Sequence, residues 1–425
     1  MTNEKNSQYC DLQRRVLFGM LSVMFFFVCF HRMSTSVIAT DLLRTFQVHA
    51  TALGFMSSMY FYIYALEQPL VGHFSDTIGP RRVVGFWSLI SALGCFIFAW
   101  APSIVWATVG RGLIGLGSGG VYVPAMKAFS QWFNHKKLGI VTGLLLASGN
   151  IGAIAATTPL AWMAKTWGWR LVFLLIGGIT FGLALVIIIL RDYKTSTKPI
   201  KKELACNNKQ SMVPKNSSIQ ILASLRFWII ALIFFCFFGV FFTFQGLWAT
   251  PFIMSVLNVK TLQASRLNMF IPLGFIFGAP LFGWLSSKFF RRRVDMLLCL
   301  SVFITGAWII LLLYCEVIKI GGMIFLLLII GGFGGGFAAN LWTLIQEITP
   351  SSNIGLTAGL LNIFPLLGPA ILQIVTGAVL DRTDMINGMY PPIAYKEAFM
   401  VCFLFFATCI VLLWYLKKSG LEQGN

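Results

Sequence analysis

Residues 72–82 read GHFSDTIGPRR, a short polar segment between two apolar runs of the chain. Gly79 and Pro80 interrupt the flanking helices, so the segment is expected to form a loop. Asp76 supplies one carboxylate. Arg81 and Arg82 supply adjacent cations, which are enriched in loops on the cytoplasmic side of a membrane. The segment therefore predicts a cytoplasmic turn between two membrane-spanning helices.

The composition excludes a soluble domain and indicates a polytopic membrane protein. Of 425 residues, 57% are hydrophobic and only 11% are charged. The net charge of +18 would suggest a nucleic-acid partner only if the cations clustered on one folded surface, whereas here they separate apolar runs. The nine cysteines form no CxxC spacing, so neither a disulfide framework nor a metal site is predicted. We expect no cofactor, and a lipid bilayer as the environment of the chain.

Twelve apolar runs are long enough to cross a bilayer as helices, and they divide into two sets of six. This predicts an all-α membrane protein with an N-terminal half at 1–190, a cytoplasmic linker rich in Lys, Ser and Asn at 191–225, and a C-terminal half at 226–425. The runs lie at about 16–40, 51–73, 82–101, 103–132, 138–164, 170–190, 226–251, 262–286, 294–315, 320–346, 354–380 and 394–416. The first run is too long for a cleavable signal peptide and should remain as helix one.

The distribution of cations predicts the orientation of these helices. The termini and the loops on their side of the membrane hold 21 Lys and Arg, whereas the opposite loops hold eight. The remaining three cations, Arg32, Arg111 and Lys127, lie within spans. Because cationic loops stay in the cytoplasm, both termini and the linker are predicted to be cytoplasmic, in a bacterial inner membrane.

The chain also contains internal repeats. Residues 283–293, GWLSSKFFRRR, are a degenerate copy of the 72–82 loop in which Ser287 replaces Asp76. A second repeat relates Gly143-Leu144-Leu145 to Gly359-Leu360-Leu361 at a constant offset of 216 residues. Glycines at four-residue spacing, which predict close helix packing, occur in helices four, eight and ten: Gly115 and Gly119, Gly274 and Gly278, Gly332 and Gly336.

The loop and its copy resemble the signature of the major facilitator superfamily. The resemblance implies two pseudo-symmetric six-helix halves around a central substrate path, with the loop gating one side of that path through Gly72, Asp76, Gly79, Arg81 and Arg82. Residues 111–117, RGLIGLG, are similar to the weaker signature of the family on helix four. The first third of the chain is similar in texture to bacterial facilitators that include phagosomal nutrient transporters, in residues 31–37, 41–43, 60–64 and 68–69. That similarity implies uptake of small nutrients.

Few charged groups lie within the spans, and each is a functional candidate because charge is costly in hydrocarbon. Arg32 and Arg111 are placed near one membrane depth and predict a carboxylate ligand, because a guanidinium fork matches a carboxylate. The structural alternative for Arg111 is hydrogen bonding to backbone carbonyls. Glu67 is the candidate proton-coupling carboxyl, with His31 as the second candidate. The alternative for Glu67 is a gate residue beside Pro69 or a partner of Lys127.

Uncharged polar and aromatic side chains on the cavity helices complete the candidate substrate site. Each alone is more often a helix-packing contact than a ligand contact. They are Tyr60, Tyr64, Asn150, Gln245, Trp248, Asn340, Trp342 and Asn362.

These observations favour a monomeric secondary active transporter that takes up a small carboxylate-bearing solute, an amino acid or an organic acid, together with protons by alternating access. An efflux antiporter for drugs or siderophore-like metabolites is the first alternative. The Gly-Pro signature typical of drug antiporters on helix five is replaced by residues 149–152, GNIG. A membrane-embedded enzyme would need clustered catalytic groups, and a non-transporting receptor should lack charged cavity residues. No GxxxxGK[ST] sequence for ATP binding is present.

Overall fold

The computed structural model describes residues 2–133, 135–190, 221–349, 354–386 and 388–420. Its secondary structure is helical apart from one isolated bridge between Ile386 and Met389. Most of the segment predicted as the linker lies outside the described residues.

Within the described residues, twelve helical spans, numbered α1 to α12, run in chain order. The first six are α1 (Thr2–Phe46), α2 (Ala50–Thr77), α3 (Pro80–Trp100), α4 (Ile104–Trp132), α5 (His135–Ala155 and Thr158–Trp167) and α6 (Trp169–Ile189). The second six are α7 (Leu225–Thr243, a π-helical turn Phe244–Trp248, and Ala249–Leu257), α8 (Thr261–Asn268 and Phe270–Phe289), α9 (Arg293–Tyr314), α10 (Ile320–Ile348), α11 (Ile354–Leu361 and Phe364–Leu380) and α12 (Pro392–Lys418).

The spans form two six-helix halves that meet along α2 with α11 and along α1 with α7. We call the face that carries the α2–α3 loop and the end of α6 the linker face, and the opposite one the distal face. Eleven of the described spans are long and apolar enough to cross a membrane by length and composition alone. The exception is α2, which carries Glu67, Gln68, His73 and Asp76 but lies in the bundle between α4 and α11.

Glycines allow the closest helix contacts, as their spacing predicts. A Cβ atom added to Gly274 of α8 would lie 2.6 Å from the carbonyl oxygen of Leu328 on α10. A Cβ atom on Gly115 of α4 would collide with the backbone of Tyr60 on α2. Helix packing is thus confirmed as the role of these two glycines, because any larger residue would force the paired helices apart.

Four spans are interrupted where the sequence predicts continuous helices. The helix of α5 breaks just before Pro159, and that of α11 breaks just before Pro365. Proline lacks the N–H that would continue the ladder, so a helix that contains it is broken or kinked nearby. A break at Met269 precedes Pro272 in α8, and α7 contains one π-helical turn. These breaks lie in helices that form the boundary between the halves.

Candidate substrate cavity

Two connected cavities lie between the halves and share Arg32. The larger, of about 750 Å³, lies between α1 and α5 on one side and α7 and α8 on the other. The smaller, of about 190 Å³, reaches α2, α10 and α11. Phe25, Arg32, Leu146 and Phe242 line both cavities. Arg32 is therefore the cation at the junction of the two spaces.

The Arg32 guanidinium is held by aromatic rings. Its central carbon lies 5.7 Å from the ring centroid of Tyr64 and 5.2 Å from that of Phe242. The Nε atom is buried without a hydrogen-bond partner, and no carboxylate in the described part of the chain pairs with the side chain. A cation in this position has π contacts, and no carboxylate uses the paired donors of its fork.

Five other predicted residues share these cavities with Arg32. Asn150 and Gln245 line the larger cavity, while Tyr64, Trp342 and Asn362 line the smaller one. The Nδ2 atom of Asn150 donates to the carbonyl of Leu146 in its own helix at 3.1 Å, which leaves its Oδ1 atom available to a ligand. The π-helical turn in α7 contains Gln245, and such turns are frequent at functional sites.

Four predicted residues do not line either cavity. Arg111 is fully buried, donates to the carbonyl of His31 at 3.1 Å and lies 5.2 Å from the Tyr60 ring centroid, an arrangement that matches its structural alternative. The Tyr60 hydroxyl donates to the Val28 carbonyl at 3.1 Å. Trp248 donates to Thr376 at 2.8 Å, and Asn340 donates to the carbonyl of Phe282 on α8 at 3.3 Å as well as to that of Gly336 in its own helix. All four side chains join helices to one another.

The candidate proton-coupling residues are buried beside the cavities and do not line them. The Oε2 atom of Glu67 accepts a hydrogen bond of 2.8 Å from the indole N–H of Trp87 on α3, whereas Oε1 is buried without a partner. His31 is also buried, and its Nε2 atom lies 3.6 Å from the sulfur of Cys95. The structure does not pair Glu67 with Lys127, the alternative suggested by sequence.

Residues 72–82 form a loop only at Ile78 and Gly79, because α2 continues to Thr77 and α3 begins at Pro80, so the prediction of a loop over the whole segment is wrong in its extent. Asp76 forms an ion pair with Lys127 on α4. Arg81 does not pair with Asp76; it donates instead to the carbonyls of Ile187 (2.5 Å) and Ile188 (3.0 Å) at the end of α6. The loop is thus tied to α4 and α6 of its own half. Gly79 has a φ of +92°, and Gly72 has open space around it.

The copied loop carries an ion pair of reversed polarity. Arg293 donates from Nε to Glu347 on α10 at 2.9 Å. It also donates to the Oδ1 atom of Asn340 at 3.3 Å and to the Ser287 hydroxyl at 3.2 Å. The sequence comparison identified the lost acid at Ser287 but not this replacement pair.

Sequence analysis missed a carboxylate that joins the halves at the distal face. Asp381, just past α11, accepts hydrogen bonds of 2.8 Å from the backbone N–H groups of both Ala50 and Thr51 at the start of α2. The hydroxyls of Thr51 and Tyr390 also donate to it. Burial would raise the pKa of Asp381, but these hydrogen bonds outweigh it and hold the pKa below its ordinary value. The sequence signal that could have identified Asp381 is an acidic residue directly after an apolar span.

A second polar contact crosses the halves nearby. The Ser36 hydroxyl on α1 lies 3.1 Å from the Thr250 hydroxyl on α7, and Asn268 donates to Thr250 at 3.1 Å. Along each helix, the residues that line the Arg32 cavities lie on the linker-face side of these contacts. The structure is therefore closed at the distal face, with the cavity below the closure.

A bundle of two six-helix halves around an internal cavity lined by a cation, Arg32, is the architecture of a solute transporter. The family model of the Major Facilitator Superfamily matches residues 21–372 and 249–424. The chain belongs to this superfamily, which confirms the predicted family and fold, and it is a multi-pass membrane transporter rather than an enzyme.

Curated relatives of the chain are bacterial transporters. The hexuronate transporter of Escherichia coli K12 is 26% identical over 368 residues, which cover 82% of this chain and 84% of the relative. The probable galactarate/D-glucarate transporter GarP of the same organism is 23% identical and covers 88% of this chain and 90% of its own length. Bacterial relatives of this kind support a location in the cytoplasmic membrane.

Solved structures share the fold. A bacterial homolog of the human lysosomal transporter Spinster, in an inward-facing and unoccupied conformation, matches with a TM-score of 0.78 and 17% identity, over 97% of this chain and 99% of that one. The D-xylose–proton symporter matches with a TM-score of 0.72 and 12% identity, over 96% and 97%.

Proposed function

We propose that this protein is a monomeric secondary active transporter that takes up a small carboxylate-bearing solute with protons across the bacterial cytoplasmic membrane. The observation that carries the proposal is the position of Arg32, at the junction of two cavities without a carboxylate partner among the described residues. Arg32 is half-buried, and a cation largely removed from water needs a compensating negative charge or acceptor. The substrate carboxylate supplies it.

The substrates named for the relatives indicate a narrower class of solute within this proposal. Those named above transport hexuronate or, as their names state, galactarate and D-glucarate. Sugar acids combine a carboxylate for Arg32 with hydroxyls that can bond to Asn150, Gln245 and Asn362 around the cavities. We therefore place sugar acids ahead of amino acids as substrates.

The orientation in this proposal follows the charge distribution. The termini and the linker face are assigned to the cytoplasm, so the structure represents a state closed toward the outside. Reporter fusions at residues 200 and 420 should be active only as cytoplasmic reporters. A periplasmic signal at either position would invert the assignment.

Substitutions of Arg32 and Arg111 test the substrate contact. Arg32→Lys keeps the charge but loses the planar fork, so it should weaken binding of a sugar acid in proteoliposomes by about tenfold or more, the loss of one charge-assisted hydrogen bond. Arg111→Lys is the matched variant: because Arg111 binds the His31 carbonyl away from the cavity, it should lower thermal stability with little change in affinity. The proposal fails if Arg32→Lys binds all carboxylates as the parent does.

Proton coupling is assigned to Glu67, with His31 as the alternative carrier. The unpaired Oε1 atom of Glu67 supports this, because a proton on it would neutralise a charge that the helix interface otherwise isolates. Glu67→Gln should abolish accumulation driven by a pH gradient while leaving exchange of labelled substrate intact. If accumulation persists in both Glu67→Gln and His31→Gln, another group carries the proton.

One observation favours efflux as the second candidate function. The larger cavity is lined mainly by apolar side chains, among them Phe241, Phe275 and Ile276, and its volume of about 750 Å³ exceeds that of a sugar acid. Efflux of lipophilic solutes would move ahead if a ligand panel showed binding of neutral lipophiles only, unchanged in Arg32→Lys.

A further inference from the structure

A second cavity with a concentration of positive charge lies at the distal face. It has a volume of about 730 Å³ and is bounded by α1, α5, the start of α6 and the start of α8. Arg44 and Lys165 reach it from the N-terminal half, whereas Lys260 and Arg266 reach it from the C-terminal half. Asp41 is the one carboxylate among its lining residues. We call this space the distal basic pocket.

The four cations of the distal basic pocket differ from Arg170 and Lys396 on the same face. Arg170 donates to the carbonyls of Ala99 and Ala101 at 2.7 and 2.9 Å, and Lys396 donates to Glu316 at 2.8 Å. Within the described part of the chain, the four pocket cations form no hydrogen bond or ion pair of this kind. All four side chains are exposed, and Asp41 offsets part of the charge of Arg44. The remaining charge is left to solvent or to a ligand.

Two helix starts add to the positive potential. The first segment of α8 begins at Thr261 and includes Leu262, and both residues line the pocket. The N–H groups of the first turn of a helix have no acceptor in that helix, and the helix dipole favours an anion at this end. Trp169, the first residue of α6, lies on another wall of the pocket.

Closure of the distal face brings these cations together, because two belong to each half. Like charges that approach one another oppose closure unless an anion lies between them. We propose that the distal basic pocket binds a small oxyanion, a carboxylate, sulfate or phosphate group, that bridges the halves and stabilises the closed distal face. This site is separate from Arg32, since the contact between Ser36 and Thr250 lies between them along α1 and α7.

Binding of radiolabelled sulfate to the purified full chain tests the proposal. Arg44→Gln with Lys165→Gln removes the contribution of one half, and Lys260→Gln with Arg266→Gln removes that of the other. Each pair should weaken sulfate binding by about fivefold to tenfold, the loss expected for two partly exposed ionic contacts. The matched control is Lys319→Gln with Arg382→Gln, two exposed distal cations outside the pocket, which should leave binding unchanged.

The pattern of losses separates the outcomes. Equal losses in both pocket pairs support a bridging anion. A loss in one pair only, or the same loss in the control, overturns it. Arg32→Gln separates this inference from the proposed function: if it abolishes sulfate binding while the pocket pairs do not alter it, the anion occupies the substrate cavity and the distal site is refuted.

Nanodiscs of defined lipid composition distinguish a free oxyanion from a lipid headgroup. In nanodiscs of phosphatidylcholine alone, sulfate should raise the thermal unfolding midpoint of the parent chain and not that of the pocket variants. If phosphatidylglycerol gives this stabilisation without sulfate, the bridging group is a lipid headgroup. If neither produces a difference between the parent and the pocket variants, the site does not exist.

Discussion

The distal and linker faces use their charged side chains differently. At the distal face, Asp381 of the C-terminal half binds the first backbone N–H groups of α2 in the N-terminal half. At the linker face, the ion pairs of Asp76 with Lys127 and of Arg293 with Glu347 each stay within one half. A contact between the halves favours one arrangement of the two halves, whereas a contact within a half keeps that half rigid in every conformation. Among the described residues, Asp381 is therefore the carboxylate that holds the closed state.

The two linker-face pairs are themselves a comparison between repeats. In the first half the loop supplies the acid and the fourth helix supplies the cation; in the second half the loop supplies the cation and the fourth helix supplies the acid. The repeat therefore preserves an ion pair between loop and helix, but the acid and the cation exchange places. An ion pair in either orientation holds the loop, since the interaction energy depends on the product of the charges.

The largest effect is expected from loss of the distal carboxylate. Asp381→Ala removes the acceptor of four hydrogen bonds between elements and should shift the equilibrium toward an open distal face by about 1.5–3 kcal/mol, the value of hydrogen bonds to a charged group. Ser36→Cys places a small thiol at a buried inter-half contact, and its labelling by a membrane-impermeant maleimide should rise correspondingly above the labelling of the parent cysteines. Asp384→Asn, an exposed acid three residues away, is the matched control. Equal labelling in the two variants would mean that Asp381 does not hold the closure.

The pH dependence of the same closure should be smaller and confined to acid. The pKa of Asp381 is lowered in the closed state, so its contribution is complete above the ordinary aspartate value of 3.8 and is lost as the pH falls through the closed-state value. Because the thiolate is the reactive form, labelling of the Ser36→Cys variant is divided at each pH by that of an exposed reference cysteine. This ratio should be constant from neutral pH to about pH 5 and should rise only below the ordinary value. With Asp381→Asn this rise should be absent. A rise near neutral pH would assign the titration to another group.

Reversal of the Asp76 pair tests whether polarity matters at the linker face. Asp76→Lys should slow turnover by roughly twofold, because it sets two cations side by side. Addition of Lys127→Asp should restore the rate, since Arg293 and Glu347 already use that polarity. Initial rates of uptake in proteoliposomes measure the effect. Failure of the double variant to recover would show that Asp76 has a further partner in another conformation.

Particular residues show how far sequence reasoning reaches. The two halves and the order of the spans follow from apolar runs and repeats, because a helix that crosses the bilayer needs a long apolar run. The family follows from the resemblance of the 72–82 loop to its signature. Arg32 could be found because charge within a span is rare. The sequence could not show that Arg32 lines the cavities and Arg111 does not, because side-chain direction depends on how α1, α2 and α4 pack. The sequence also could not identify the hydrogen-bond partners of Asp381 and Arg293, since each partner lies on a helix distant in sequence.

The smallest effect is expected at Ser287, the residue that replaces the acid in the copied loop. Its hydroxyl accepts one hydrogen bond of 3.2 Å from Arg293, but that arginine retains Glu347 at 2.9 Å and Asn340 at 3.3 Å. An exposed neutral hydrogen bond that is replaced by water contributes little, so Ser287→Ala should leave uptake within about twofold of the parent. Glu347→Gln is the informative companion, because it removes the charged partner and should slow uptake more than Ser287→Ala does. If Ser287→Ala were the more damaging of the two, the hydroxyl rather than the ion pair would hold the copied loop, and the reversed polarity of the repeats would have no functional meaning.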